Sequence, residues 1–530
     1  MSLLRAAATI GGYTMISRVL AFIRDMLTAS VLGAGPVAEA LFIAQRLPNM
    51  FRSLFAEGAF SVAFVPTFAG MVEAEGREAA QAFAERILAV LLVVLLLMLA
   101  LAEALMPWVI YLIAPGFSGD PAKLAYTIEL TRITFPYLLF ISLVTLLGGV
   151  LNSFGKFAAA AATPVLLNLF LIGGLLLGCH IGDTCTGGVA SIEATGTSGR
   201  IQALAISLAG LAQFIWLMVS CARAGLVMRL PRPRLTPAVR KLLTQMLPAT
   251  LGAGMSQVNL LVSTGVATFL PAGSVAYLYY ADRLNQLPLG VVGIAVATAI
   301  VPTLSRQLRA GDEKAANHTL NRGLELALLL TLPAAIALGV IADPILAVLF
   351  QRGNFGSVET AGTAAALSAY AVGLPAFVLV KVLAPGFYAR HDVRTPVRAA
   401  LVSLVVNIVL TLALALPLAH VGNALATTIA GWVNALQLIW LMHRRGHLVL
   451  DGRFRRRVPR VAASAIGMGL VLLAAMGWLW PILHGGPLVF RVTALAGLIA
   501  LGLGGFALLA LVSGAGDWRE LARLVRRQPA

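Results

Sequence analysis

The sequence predicts an all-α polytopic membrane protein with fourteen transmembrane helices. Of its 530 residues, 59% are hydrophobic and only 12% are charged, and the mean hydropathy is +0.90. This apolar fraction is higher, and this charged fraction lower, than a water-soluble domain of ordinary size needs for its core. Apolar stretches of about 20 residues, each long enough to cross a hydrocarbon layer of about 30 Å, recur from one end of the chain to the other.

The predicted spans follow one another with short connections. They lie near residues 8–32, 37–70, 87–114, 125–153, 158–178, 201–222, 243–269, 274–304, 324–343, 360–388, 398–418, 421–442, 460–482 and 488–513. The first is expected to be an uncleaved span, because Arg5 alone makes a weak basic region and the apolar run exceeds that of a secretory signal.

The positions of the 39 Lys and Arg residues predict the topology, because cytoplasmic loops collect positive charge. With alternate connections assigned to the two sides, 28 fall on the inner side, four on the outer side and seven within spans. Both termini are therefore expected to be cytoplasmic, with anionic membrane lipids as partners. The basic residues are scattered over short loops without aromatic interleaving, which argues against nucleic acid.

Charge at bilayer depth is concentrated in the first two spans. Seven ionisable residues fall there: Arg18, Arg24, Asp25, Glu39, Arg46, Arg52 and Glu57. An ionised group at the bilayer centre costs about 3 kcal/mol, so such residues face one another, water or a ligand. Two interpretations remain open, a water-filled cavity between helices or charges extending to the headgroups. The cavity interpretation is favoured for Arg18, Arg24 and Arg52. For Arg46 and Glu57 the cavity and headgroup interpretations are about equally supported.

The two halves of the chain repeat with an offset of about 237 residues, which matches Asn168 with Asn407. Six spans separate matched positions, so the repeats share their orientation. We therefore predict two pseudo-symmetric six-helix lobes, at 1–225 and 226–445, followed by two further helices at 446–515 and an amphipathic cytoplasmic tail at 516–530. In the second lobe, Asp282, Arg283 and Lys381 lie within spans, and Lys381 is either a cavity residue or an ammonium extending to the interface.

Several motifs resemble those of one known family. They are Ser17-Arg18 with Arg24-Asp25, Leu47-Pro48-Asn49, Phe55-Ala56-Glu57-Gly58-Ala59-Phe60-Ser61, Tyr279-Tyr280-Ala281-Asp282-Arg283 and Lys381-Val382-Leu383-Ala384-Pro385-Gly386. Over essentially its whole length the chain resembles the MviN/MurJ lipid II flippases of bacteria. The resemblance implies the multidrug/oligosaccharidyl-lipid/polysaccharide exporter fold, a central cationic cavity with alternating access, and a groove lined by spans 13 and 14 for the polyprenyl tail. It also implies a place in the bacterial inner membrane, and we expect a monomer.

The resemblance also implies roles for the charged residues. Arg18, Arg24, Arg52, Arg283 and Lys381 would bind the polyanionic head group of lipid II, since guanidinium forks bind phosphate in a bidentate way. The carboxylates would orient these arginines, or pair with them when the cavity is empty; they are Asp25, Glu39, Glu57 and Asp282. No cofactor is expected.

Two driving forces for transport remain open, the membrane potential and a coupled sodium ion. Some relatives are thought to carry sodium between spans 7 and 11, where this chain offers Asn259, Asn407 and Thr411. Neutral oxygens alone bind sodium weakly, so these are weak candidates and no other metal site is expected. Cys179 and Cys185 share a predicted outer loop, where they are either free or disulfide-bonded.

Two other functions were weighed against the flippase. A drug or organic-cation antiporter of the same superfamily would need acidic groups dominating its cavity and usually twelve spans. A membrane enzyme acting on the same lipid carrier would need catalytic carboxylates or histidines in sizeable extramembrane loops, and no predicted outer loop exceeds about 22 residues. The sequence therefore predicts a transporter and no enzyme.

Overall fold

The computed structural model describes residues 3–53, 61–182 and 191–516. Only the backbone is described at residues 3–7, 61–62, 243, 245, 247–256, 291, 294–299 and 301. The described chain is helical, with no strand and one isolated bridge between Arg352 and Phe355. Its α-helices are α1 Leu3–Leu32, α2 Pro36–Phe51, α3 Ser61–Ala74, α4 Gly76–Ile113, α5 Pro121–Thr134, α6 Tyr137–Ser153, α7 Phe157–Ile181, α8 Ile192–Arg223, α9 Pro237–Ala267, α10 Ser274–Arg309, α11 Glu313–Val340, α12 Ala342–Leu349, α13 Ser357–Tyr388, α14 Arg394–Arg444, α15 Gly452–Gly485 and α16 Leu488–Val512.

The all-α membrane fold is confirmed. Within the described residues, nine helical stretches are long and apolar enough to cross a membrane. Over the described residues the predicted spans fall on helix. The second includes α2 and α3, with residues 54–60 outside the described part, the fourth is divided between α5 and α6, and the ninth runs from α11 into α12. The exact count of fourteen spans stays a prediction, and the amphipathic tail beyond residue 516 lies outside the described residues.

Spans 11 and 12, which the sequence predicts as separate helices, are two helices that meet at Ala419 within the range given for α14, with no longer loop between them. The chain reverses at Ala419, which has a φ of 46° and a ψ of −131°. Gly422 faces the carbonyl of Leu414 so closely that a Cβ could not be accommodated. The short connection therefore depends on one strained residue and one glycine.

The described chain divides into two compact units. The first consists of Met1–Ala276 with Arg352–Gly356, and the second of Tyr277–Gln351 with Ser357–Ala530. In the first unit, α9 packs against α3 and α4 and adds Val239 to their hydrophobic core. The units thus differ from the lobes that the sequence repeat defines at residue 225, and the lobe division stays a prediction.

Within the first unit, the short segment Arg352–Gly356 docks on the last turn of α1 and on Gly33, which follows it. Asn354 donates its backbone N–H to the carbonyl of Ser30 at 2.9 Å and its side-chain amide to the carbonyl of Val31 at 2.7 Å. Gly33 and Gly353 have φ values of +66° and +58°, and a Cβ at either would collide with the facing backbone. Backbone therefore meets backbone at this contact.

The second unit has its own core. α11, α13 and α14 enclose it, and α15 packs on α11 and α16. Its centre includes Leu320, Leu383 and Met442, all with no measurable exposure. The two helices outside the repeat, α15 and α16, are thus integral to this unit, while the predicted tail-binding groove along them stays a prediction.

Candidate functional site

The best-defined polar cluster among the predicted site residues lies in the first unit, between α1 and α7. Arg24 donates from Nε and Nη2 to Oδ1 of Asp25, at 3.1 and 2.6 Å, and from Nη1 to Oδ1 of Asn168 at 2.9 Å. The side chain of Arg24 is 14% exposed. These bonds use three of the five guanidinium N–H groups and leave two for a ligand oxygen.

Asn168 is itself fixed, which makes the cluster rigid. Its Nδ2 donates to the carbonyl of Pro164 at 3.0 Å, and to the carbonyl and hydroxyl oxygens of Ser17 at 3.1 and 3.2 Å. The amide orientation is therefore set by donors and acceptors on both sides. Arg24 is held in place before any ligand arrives, and the predicted pairing of Asp25 with an arginine is present.

Arg18 lies elsewhere on α1. It is exposed, and the described part of the chain gives it no hydrogen bond or ion pair. Six residues separate it from Arg24, which turns the two side chains about 120° apart on a helix. The two arginines therefore do not share one face of α1, although the sequence assigned both to the head group.

Glu39 differs from the sequence-based expectation. Its Oε2 accepts from Nζ of Lys123 at 2.5 Å, and its Oε1 accepts from the backbone N–H of Val275 at 3.0 Å, in the first turn of α10. Glu39 is 1% exposed. The partner of this carboxylate is thus a lysine and a helix N-terminus, and the expectation that Glu39 pairs with an arginine is wrong for this structure.

Lys123 is one of the four basic residues that the sequence places on the outer side, in the connection before the predicted span 125–153, and it is therefore not among the predicted site residues. It lies instead in the first turn of α5, where Asp120 caps the helix by accepting from the backbone N–H of Lys123 at 3.1 Å. Its ammonium lies 3.9 Å from the ring centre of Phe117. The local sequence Asp120-Pro121 is typical of a helix start, and that signal could have moved Lys123 from the loop into the helix.

The remaining predicted residues of the first unit are Arg52, Glu57 and Asn259. Arg52 forms the C-cap of α2, where its backbone N–H reaches the carbonyls of Pro48 and Asn49, and its side chain is half-buried. Asn259 lies on α9. Glu57 lies outside the described residues.

In the second unit, Asp282 and Arg283 make contacts one turn along α10. Asp282 accepts from Nε2 of Gln286 at 2.5 Å. Arg283 donates to the hydroxyl of Tyr279 at 3.1 Å, and its guanidinium lies 4.9 Å from the centre of the same ring. Stacking and hydrogen bonding by Tyr279 together orient the guanidinium plane of Arg283. The sequence did not predict this role for Tyr279.

Lys381 projects from α13 and is exposed in the structure. Its stem crosses α10 at Gly293, where an added Cβ would lie 2.9 Å from Cδ and 3.2 Å from Nζ of the lysine. A glycine at this position therefore makes the room for the ammonium. The sequence singled out Lys381 but gave no signal for Gly293.

The weak sodium candidates of the second unit are buried on one helix. Thr411 donates to Oδ1 of Asn407 at 3.4 Å on α14. The described residues contain no group of three or more His, Cys, Asp or Glu side chains placed to hold a metal ion. Cys179 is disulfide-bonded and Cys221 is a buried free thiol, while Cys185 lies outside the described residues.

Long apolar helices with ionisable side chains held inside them define a class of protein. Such residues mark the path of a substrate or ion, so the chain is a multi-span membrane transport protein. Its sequence is more specific: the profile of the family described as lipid II flippase MurJ matches residues 28–485. The chain belongs to this family.

Relatives match the chain over almost its full length. It is 44% identical to the probable lipid II flippase MurJ of Rhizobium meliloti (strain 1021), over 99% of this chain and 97% of the relative. Identity to the probable lipid II flippase MurJ of Rhizobium tropici is 39%, over 100% of this chain and 98% of that protein.

Solved structures show the same fold. A lipid II flippase MurJ in an inward closed conformation matches with a TM-score of 0.78 and 24% identity, over 97% of this chain and 99% of that one. An inward-facing multidrug resistance MATE family transporter matches with a TM-score of 0.63 and 17% identity, over 84% of this chain and 96% of that one.

Proposed function

We propose that this chain is a lipid II flippase, which carries the lipid-linked peptidoglycan precursor from the cytoplasmic to the periplasmic leaflet by alternating access. Membership of the MurJ family supports the proposal. The structural observation that carries it is Arg24, a guanidinium held by Asp25 and Asn168 within an apolar helix, with two N–H groups left for a ligand.

The chemistry of the cargo fits such a group. Lipid II carries a pyrophosphate and peptide carboxylates, and a guanidinium binds phosphate oxygens as a fork. Burying the sugars and charges of this head group in hydrocarbon has a large free-energy cost, so the lipid does not cross unaided at useful rates. A polar path lined by fixed cations removes this cost while the polyprenyl tail stays in lipid.

We assign the head group to Arg18, Arg24, Arg52, Arg283 and Lys381. Asp25 and Asp282 hold or balance these cations, and Glu57 is assigned with them on the sequence alone. Glu39 is buried in its pair with Lys123, so we assign it a supporting role in this state. The tail would follow a groove along α15 and α16.

Location and energetics follow from the same proposal. The protein would be a monomer of the bacterial inner membrane with both termini in the cytoplasm, as its Lys and Arg distribution favours. An inside-negative potential drives negative charge outward by about 2.3 kcal/mol per charge per 100 mV, so voltage can assist export of a polyanion. Sodium at Asn259, Asn407 and Thr411 stays a weaker proposal, and no catalytic step is assigned.

The alternative is a cation antiporter, because MATE transporters share the fold. The test is depletion of the cell's own flippase and rescue with variants, with lipid II exposed on the outer leaflet as the readout. Arg24→Ala and Lys381→Ala should fail to rescue, whereas Arg455→Ala, an exposed arginine on α15, should rescue fully. Equal rescue by all three, or proton release driven by an organic cation in vesicles, would reject the flippase site.

A further inference from the structure

The end of α14 carries a capping motif that fixes the position of His447. Gly446 has a φ of 72° and donates its backbone N–H to the carbonyl of His443 at 2.9 Å. The next backbone N–H, that of His447, donates to the carbonyl of Met442 at 3.0 Å. These two bonds form a Schellman motif, in which a left-handed residue lets the chain fold back over the last helical carbonyls. The ring of His443 is engaged separately, with Nδ1 at 2.9 Å from the carbonyl of Leu448. His447 is thus held, half-buried, against the helix end.

α13 ends in the same way, and the two helix ends are joined. His391 takes the left-handed position with a φ of 60°, and Asp392 donates its backbone N–H to the carbonyl of Phe387 at 3.0 Å. Arg445, the C-cap of α14, donates from Nη1 to Oδ2 of Asp392 at 2.5 Å and from Nη2 to the hydroxyl of Thr395 at 2.8 Å. Its guanidinium also lies 5.7 Å from the ring centre of Phe387. One arginine therefore connects the ends of α13 and α14.

A second arginine connects the same region to α11. Arg390, which follows α13, donates from Nη2 to Oε2 of Glu313 at 2.6 Å and from Nη1 to the carbonyl of Gly386 at 3.0 Å. Its side chain is 11% exposed, whereas that of Glu313, in the first turn of α11, is 57% exposed. Two ion pairs thus hold the start of α11 and the ends of α13 and α14. We refer to Glu313, Arg390, Asp392 and Arg445 as the ion-pair cluster.

His447 lies among the charges of this cluster. Burial and then the positive charge of Arg390 lower the pKa of His447 below its ordinary value of 6.5; Glu313 opposes this shift, and Arg445 adds to it. Asp392 stays ionised in mild acid, because hydrogen bonds lower its pKa to about 2. A neutral imidazole is therefore compatible with the two arginines, whereas an imidazolium would place a third positive charge beside them.

We propose that His447 is a proton-sensitive element of the ion-pair cluster, which stays closed while the imidazole is neutral and opens when acidification protonates it. The distribution of Lys and Arg assigns this end of the helices to the cytoplasm, so the cluster would respond to cytoplasmic acidification. The proposal does not depend on the proposed flippase activity.

The direction of the effect follows from proton binding in the two states. An opened cluster exposes His447 to water, where the imidazole takes up a proton more readily than it does in the closed cluster. Acid therefore favours the opened form. The effect should be absent well above the ordinary pKa of 6.5 and should grow as the pH falls through this value.

The test is hydrogen exchange of the purified full-length chain in detergent, measured by mass spectrometry at about pH 7.5 and about pH 5.5. Peptides that cover 387–393 and 442–449 report on the two capping motifs. The variant is His447→Gln, which is neutral at both pH values. The matched control is His180→Gln, which removes an exposed histidine at the end of α7 in the first unit. Comparison at one pH cancels the pH dependence of exchange itself and the titration of the other histidines.

The expected result is a difference that appears only in acid. At about pH 7.5 the wild type and His447→Gln should exchange alike in both peptides. At about pH 5.5 the wild type should exchange several-fold faster than His447→Gln, with a ceiling of about tenfold, because one proton shifts the opening equilibrium by at most about tenfold per pH unit. His180→Gln should behave as the wild type does. His447→Lys carries its charge at both pH values and should exchange faster than the wild type already at about pH 7.5.

Three results would overturn the proposal. One is an equal response to acid in the wild type and in His447→Gln, which would mean that other groups open the cluster. Another is fast exchange of His447→Gln at both pH values, which would mean that the ring holds the helix ends by packing and not through its charge. The third is loss of the response in His180→Gln as well, which would mean a general effect of histidine titration. If His447→Lys does not fold, the comparison of the wild type with His447→Gln decides alone.

Discussion

The buried pair between Glu39 and Lys123 gives the sharpest prediction about stability. The two side chains are 2% and 10% exposed and lie 2.5 Å apart. In Glu39→Gln the ammonium would stay buried without its counter-charge, which costs about 3–5 kcal/mol. Since whole proteins are stable by only about 5–15 kcal/mol, this loss should lower the unfolding midpoint of the purified protein strongly.

The chain contains a matched control on the same helix. Arg200 pairs with Glu129 of α5 at 2.6 Å, but these side chains are 49% and 42% exposed. Exposed pairs contribute about 0–1 kcal/mol, so Glu129→Gln should change the midpoint little. The N to O distances are nearly equal, and the two pairs differ mainly in burial.

A double variant completes the experiment. Glu39→Gln/Lys123→Met removes both charges and should recover much of the stability lost in Glu39→Gln, because no unpaired charge remains. The assay is thermal or denaturant unfolding in one detergent at one pH. Equal losses in Glu39→Gln and Glu129→Gln, or no recovery in the double variant, would refute the reasoning from burial.

Three further predictions concern other parts of the chain. Hydrogen bonds from Thr395 and then from Arg445, outweighing slight burial, lower the pKa of Asp392 to about 2. The stabilisation from this carboxylate should be complete above about pH 5, decline as the pH falls through about 2, and vanish near about pH 1. Asp392→Asn should therefore cost about 1 kcal/mol at pH 7 after solvent screening and almost nothing near about pH 1 in unfolding curves. Gly293→Leu should displace Lys381 and lower lipid II export at least about tenfold. Gly293→Ala should have a mild effect, because the lysine side chain is flexible. Unchanged export in Gly293→Leu would contradict the placement of Lys381 against Gly293. Asn168→Asp should give Arg24 a second carboxylate partner and weaken lipid II binding to the purified protein about tenfold. An affinity equal to that of the wild type would show that Arg24 does not bind the cargo.

The fold could be predicted because it depends on composition and on segment length. A span of about 20 apolar residues is visible in a sliding hydropathy window, and the predicted spans fall on helix wherever the structure describes them. The number of helices was harder to predict. Hydropathy located the reversal at Ala419, between the spans predicted at 398–418 and 421–442, but it did not detect the division of one apolar run into α5 and α6.

The site could be predicted only in part, because partners of buried charges are distant in sequence. Glu39 and Lys123 are 84 residues apart, and Arg24 and Asn168 are 144 apart. A repeat drew attention to Asn168 without revealing its partner.

The hydrogen bonds between Arg352–Gly356 and the end of α1 should be insensitive to pH and to salt. The bonds at Ser30, Val31 and Asn354 are made by amides and carbonyls, and none of these groups gains or loses a proton in the physiological range. Acidification or a change in ionic strength should leave these two hydrogen bonds of Asn354 intact, whereas the ion pairs elsewhere respond to both.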